Sequence, residues 1–184
     1  MSFLRPPDGP GVAYEFFAPF AHVEGRFEWC RIRSPTHGVF DVFIVLGAST
    51  SVPATVYVSS EAGARFMAER YPECETHRVP EDDLLLTERG DGRVVAGMLR
   101  AEVGPIALAE MTLVAPADAT PQQAPYGGEG RPVWGSKRFT CWGVDLALRG
   151  KAQGAVWWAD GREERLEDEP AIVTLGSFGR IAPL

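Results

Sequence analysis

One stretch constrains the fold more than any other: Asp83 to Ala115, DLLLTERGDGRVVAGMLRAEVGPIALAEMTLVA. Two breaker clusters cut it into three short runs. Gly90-Asp91-Gly92 supplies residues that accept the positive φ of tight hairpin loops. Val103-Gly104-Pro105 is a second turn, with Pro105 confined to a strand start because it has no N–H for a ladder. Between the turns the side chains alternate with period two. Val95, Gly97, Leu99, Ala101 and Val103 share one face, and Val94, Ala96, Met98, Arg100 and Glu102 the other. In the third run Ile106, Leu108, Glu110, Thr112 and Val114 lie opposite Ala107, Ala109, Met111 and Leu113. This pattern specifies three antiparallel strands in a meander.

The rest of the chain extends the pattern. Residues 1–11 are rich in Pro and Gly and read as an extended arm. Val12–Phe20 is aromatic-dense and reads as a first strand or a lid. Gly25–Ser34, Val39–Leu46 and Val52–Ser59 read as strands, the second apolar on both faces except at Asp41. Ser60–Tyr71 changes period and reads as a helix, capped by Ser60 and stopped by Pro72. It is expected to plug or flank one end of a barrel. Glu73–Asp83 is acidic and irregular. Residues 115–132 hold four prolines and three glycines, more than a hairpin loop carries, and read as a long loop over a barrel mouth. Beyond it, Val133–Leu148, Ala152–Ala159, Arg162–Asp168, Ala171–Leu175 and Phe178–Pro183 read as strands, with turns at Arg149-Gly150-Lys151 and Asp160-Gly161. The expected fold is all-β: one antiparallel up-and-down barrel of about ten strands with one short helix, residues 1–184 forming a single domain.

Composition excludes several function classes. With 184 residues, 45% hydrophobic and 23% charged, the chain can bury a core. A net charge of −7 argues against a nucleic-acid partner, which calls for a basic patch. No apolar run approaches the length of a membrane helix, and the N-terminus has no signal-peptide core. Cys30, Cys74 and Cys141 are odd in number and widely spaced, as expected of reduced thiols in a cytoplasmic protein. A homodimer is compatible with this reading. His22, His37 and His77 show no metal-ligand spacing, so no metal is expected. Gly127-Gly128-Glu129-Gly130 lacks the strand and helix that a phosphate cradle needs, and no cofactor is expected. Cys30 and Cys141 sit among apolar neighbours and read as small core residues.

Carboxylates and aromatics are the remaining leads. Glu110 shares a face with Ile106, Leu108 and Val114, and Asp41 with Val39, Phe43 and Val45. If those faces point inward, each carboxylate lies in an apolar cavity with raised pKa, suited to acid–base work. The competing reading sends the faces to solvent or pairs the acids with Arg31 or Arg100. Glu110 and Asp41 are therefore the proton-transfer candidates and Tyr57 a hydrogen-bond donor. Trp29, Trp142, Trp157, Phe43 and Met98 are candidate walls for an apolar ligand.

Two stretches resemble known families. GDGRVVAGMLRAEVGPIALAEMTLVAP, a Pro-rich gap and GSKRFTCWGVDLALRGKAQGAV together resemble the lipocalin-like barrels of the carotenoid 1,2-hydratase, tocopherol cyclase and Diels–Alderase type. That resemblance implies a cofactor-free enzyme cyclising or hydrating a hydrophobic small molecule by general acid–base catalysis, or a non-catalytic carrier of such a ligand. The run Gly130-Arg131-Pro132-Val133-Trp134-Gly135-Ser136-Lys137-Arg138 is similar to the G-R-x-x-W-G-x-P-K motif of acetoacetate decarboxylase-like proteins, with one residue fewer before the lysine and no proline. It implies a Schiff base at Lys137, with a second cation following. Of the 18 basic residues only Lys137 and Lys151 are lysine.

Overall fold

Gly92 and Gly161 turn the chain at two hairpin tips with φ of 80° and 89°, where the Asp-Gly pairs place them. The computed structural model describes residues 15–47, 54–89, 91–120 and 139–181, with side chains at 21–47, 54–69, 71–89, 91–120 and 148–173. The strands are β1 (Glu15–Val23), β2 (Phe27–Ser34), β3 (Gly38–Val45), β4 (Thr55–Val58), β5 (Glu75–Arg78), β6 (Leu84–Arg89), β7 (Val94–Arg100), β8 (Ile106–Val114), β9 (Phe139–Trp158) and β10 (Glu163–Ile181). The helix α1 spans Glu61–Arg70, and a 3-10 turn spans Glu81–Asp83. No helix among the described residues is long and apolar enough to cross a membrane.

All ten strands form one sheet in the order β5-β4-β3-β2-β1-β10-β9-β8-β7-β6. It is two meanders, β1–β4 and β6–β10, joined where β1 pairs with β10. The sheet curls into a half-barrel. The expected all-β, barrel-like fold of ten strands and one helix is observed, with two differences from a purely antiparallel up-and-down barrel. The edges β5 and β6 are not paired, and β4–β5 is parallel. The parallel pair follows from α1, since a helical crossover returns the chain to the end it left. The edges are consecutive in sequence, so the 79–83 link holds them within about 20 Å of each other.

Three contacts clasp the curl across its concave side. Arg31 Nη2 on β2 donates to the Leu86 carbonyl on β6 at 3.0 Å. The Ile106 N–H on β8 donates to Tyr57 Oη on β4 at 2.8 Å. Gly97 on β7 lies against the Trp29 indole of β2, where an added Cβ would stand 2.8 Å from ring carbons. The inner core includes Phe27, Trp29, Phe43, Tyr57, Leu99 and Met111. A second core lies on the outer face of β2–β4, where Phe66 and Met67 of α1 and its C-cap Tyr71 cover Ile32, Phe40, Val42, Ile44 and Val58. The helix thus flanks the sheet rather than plugging an end. Ser60 caps it, its Oγ accepting the Gly63 N–H at 2.9 Å. Burying each large α1 side chain contributes about 1.5–3 kcal/mol.

The expected turn at 149–151 does not exist. Residues 139–158 form one strand, with Gly150 opposite Ala171 in the β10 ladder. Gly150 and Gly154 serve instead to let β9 approach β8, since a Cβ on either would meet the backbone carbonyl of Val114 or Glu110. The three C-terminal runs are likewise one strand, β10, with a bulge between Leu166 and Glu169 where Asp168 takes φ 58°.

Candidate functional site

The described residue set contains few buried polar side chains: His22, Glu28, Ser34, Asp41 and Ser59. Two of them touch. The β1–β2 hairpin turns at Glu24-Gly25-Arg26, which pairs Val23 with Phe27 and His22 with Glu28. Val23 and Phe27 point into the concave core, so His22 and Glu28 point outward. They are 7% and 3% exposed, and His22 Nε2 lies 3.3 Å from Glu28 Oε1. Ile172 flanks His22 and Ile44 flanks Glu28 in the neighbouring ladders, both buried. Burial lowers His22 to about 4 and raises Glu28 well above the usual carboxyl range. Both shifts disfavour an ion pair. At neutral pH the imidazole is unprotonated and burial holds the carboxyl toward its neutral form. Glu28 Oε2 is buried without a hydrogen-bond partner among the described residues. A buried acid and base with displaced pKa values and an unsatisfied oxygen are the usual marks of a functional position.

Cys30 follows Glu28 on the same outward face and is fully buried. Burial first, then the charge of Asp41, pushes its thiol well up. It stays protonated and unreactive, in keeping with a core role. Among the described residues no group of three or more His, Cys, Asp or Glu could hold a metal ion.

The carboxylates chosen from the sequence lie elsewhere. Glu110 is exposed on the outer face of β8, opposite Met98 and Ala155. From Leu108 onward the alternation is as read, but the inward face is the other one, carrying Ala109, Met111 and Leu113, and a bulge between Ile106 and Leu108 brings Ile106 into the same core. The concave side is already filled by Trp29 and Phe43, and β8 meets it with small or slender side chains. Met98 and Trp157 follow the same register to the outer face, where both are half-buried. Their inward neighbours Leu99, Val156 and Trp158 pack on the core.

Asp41 is buried but not isolated. Arg31 donates to it through Nε at 2.7 Å and Nη2 at 3.0 Å, and its own N–H donates to Ser59 Oγ at 2.8 Å. The competing reading, pairing with Arg31, is the one that holds. Trp29, Phe43 and Tyr57 all face inward with no surface left open to water. Trp29 and Phe43 lie 4.2 Å apart between ring centroids, and Phe43 and Tyr57 6.1 Å. Burial pushes the Tyr57 hydroxyl up to about 12. The Trp142 side chain and Lys137 lie outside the described residues.

Ligand spacing along the chain picks out His22 as a metal-ligand candidate and does not pick out Glu28. The signal was available: both stand three residues from Gly25, and a three-residue turn makes such positions direct cross-strand neighbours.

No family model matches the chain, and no curated protein does. Two solved structures share some of its shape. One, from structural studies of acetoacetate decarboxylase, is 12% identical with a TM-score of 0.42, covering 96% of this chain and 91% of that one. The other, acetoacetate decarboxylase from Legionella pneumophila, is 10% identical with a TM-score of 0.32, covering 94% and 85%. Likeness at this level assigns neither fold nor activity.

Proposed function

We propose that the chain is a Schiff-base lyase that decarboxylates a small β-keto acid through Lys137. The observation carrying this reading is the run from Gly130 to Arg138, which sets a lysine directly before an arginine in a chain with two lysines. A neighbouring cation lowers the lysine pKa and frees its amine for attack. The other lysine, Lys151, is exposed and bound to Asp168 at 3.2 Å.

The Nζ lone pair adds to the ketone carbon, and loss of water gives a protonated imine. The bond to the carboxylate carbon then breaks. Its electron pair passes toward the imine nitrogen, carbon dioxide leaves, and an enamine remains. A proton added to the enamine carbon and hydrolysis of the imine return the lysine. Glu28, held neutral beside His22, is the described carboxyl best suited to supply that proton. Glu110 in water and Asp41 bound to Arg31 lack that setting.

The test is borohydride reduction in the presence of acetoacetate, read by intact mass. A stable adduct is expected in the wild type and in Lys151→Arg, and none in Lys137→Arg. Absence of an adduct in the wild type, or its survival in Lys137→Arg, rejects the proposal. Glu28→Gln is expected to keep the adduct while slowing release of the ketone product, which follows enamine protonation, at least tenfold.

A further inference from the structure

The two halves of the sheet treat their outer faces differently. On β2–β4 that face is roofed by α1. On β6–β9 no described element covers it. An antiparallel face left to water presents mostly polar residues. This one does not: Val94, Ala96 and Met98 are three of the four outward positions of β7, and Leu85 on β6 is 44% exposed.

The register arranges these residues in a specific figure. Leu85, Met98 and Glu110 stand side by side in one row across β6, β7 and β8. Arg100, Leu108 and Trp157 stand in the next row across β7, β8 and β9. On the central pair of strands, Met98 and Leu108 therefore occupy one diagonal of a four-residue quadrilateral, and Arg100 and Glu110 the other. Leu85 and Trp157 lengthen the apolar diagonal at its two ends. Glu110 has no ion-pair partner among the described residues. Arg100, with 69% of its side chain exposed, comes no closer than 3.7 Å to its nearest carboxylate, Asp83.

We infer that this face binds a second copy of the same chain, about a two-fold axis running along the Met98–Leu108 diagonal. A two-fold axis lying between stacked sheets along that diagonal sets Met98 on Met98 and Leu108 on Leu108. It also carries Arg100 of each copy over Glu110 of the other, giving two equivalent charge pairs. Rotation about the strand direction, or about its perpendicular, would instead press each charge onto an apolar side chain. The figure is thus self-complementary in one orientation only, as a closed two-fold contact requires. The strands of the two copies would cross steeply, in the near-orthogonal class of sheet packing. Four strands about 4.8 Å apart and some seven residues long offer a face of about 19 Å by 23 Å. That is about half of the ~800 Å² that each partner gives to a standard interface, before side-chain relief is added. Glu110 acquires a role here that its exposure denies it in proton transfer.

Sedimentation velocity across a concentration series tests the inference with the full chain. The wild type is expected to sediment as a dimer of the 20.1 kDa chain. Glu110→Arg and Arg100→Glu each set like charges against each other and are expected to weaken the dimer at least tenfold. The double variant E110R/R100E is expected to recover wild-type association. Both positions are exposed, and matching circular dichroism spectra will show that the fold is kept. A wild type that stays monomeric overturns the inference. So does one that grows beyond a dimer, a dimer indifferent to both single changes, or a double variant without recovery.

Discussion

Tyr57→Phe isolates one clasp of the curl. The substitution keeps the ring, and with it the packing on Phe43 and on His77, whose centroid lies 5.4 Å away. It removes only the oxygen that accepts the Ile106 N–H at 2.8 Å. Ile106 is fully buried, so water has no path to the orphaned N–H. The loss is then the full desolvation penalty of an unpaired donor, about 1–3 kcal/mol, rather than the smaller net worth of a hydrogen bond. With a urea m-value of about 2 kcal/mol per molar, the midpoint should fall by about 0.5–1.5 M at unchanged m. A fall below about 0.25 M would fit an ordinary surface change and would refute the clasp. Gly104 supplies an internal check. At φ +83° its added Cβ would stand 2.5 Å from the Tyr57 hydroxyl. Gly104→Ala should therefore cost less in the Tyr57→Phe background than alone, a favourable coupling in the double-mutant cycle. Additivity would mean that the hydroxyl does not meet the turn.

The His22–Glu28 pair makes a pH prediction with opposed signs. Below pH 6.5 the unfolded chain takes up a proton at His22 that the folded chain refuses until about 4, so stability falls as pH drops through that window. Above about pH 4.5 the unfolded chain releases the Glu28 proton while the folded chain keeps it, so this group costs stability as pH rises. Glu28→Gln removes only the second effect. Its advantage over the wild type should be absent below pH 4.5 and grow above it, by at most about 1.4 kcal/mol per pH unit. Urea titrations at several pH values read it, and an advantage independent of pH would reject a neutral Glu28. Gly97→Ala drives a Cβ into the buried Trp29 indole and should cost about 1–3 kcal/mol, with the Trp29 fluorescence shifted; a neutral result would mean that the two halves of the sheet do not meet there. Gly154→Ala strikes the Glu110 carbonyl of β8, and a soluble, equally stable variant would disprove the close β8–β9 approach.

What could be read from the sequence was whatever local chemistry decides. The two joints of the 83–115 meander, the Ser60 cap and the double-sided apolar run of β3 each rest on residues within a few positions of one another. All of them fold as read. Facing is a different kind of property. Alternation says that Glu110 shares a side with Leu108, but the inward side was chosen by bulk already contributed from β2 and β3. Ile106, Ala109, Met111 and Leu113 join Trp29 and Phe43 in the inner core, while Glu110 stays in water.

The same distinction explains Gly150 and β5. Arg149-Gly150-Lys151 has the composition of a turn, yet the glycine answers a demand made by the β8 backbone, which no local window contains. Strand β5 has no alternation of its own, and its ladder comes from β4 after a helical crossover. The His22–Glu28 pair lies between these cases. Its register follows from Gly25 alone and was legible, but its burial depends on Ile44 and Ile172, about 16 and 150 residues away along the chain. A buried acid–base pair is thus half a local fact and half a tertiary one. For that reason a search for ligand spacings along the chain finds His22 and misses its partner, while a search for cross-strand polar pairs around tight turns finds both.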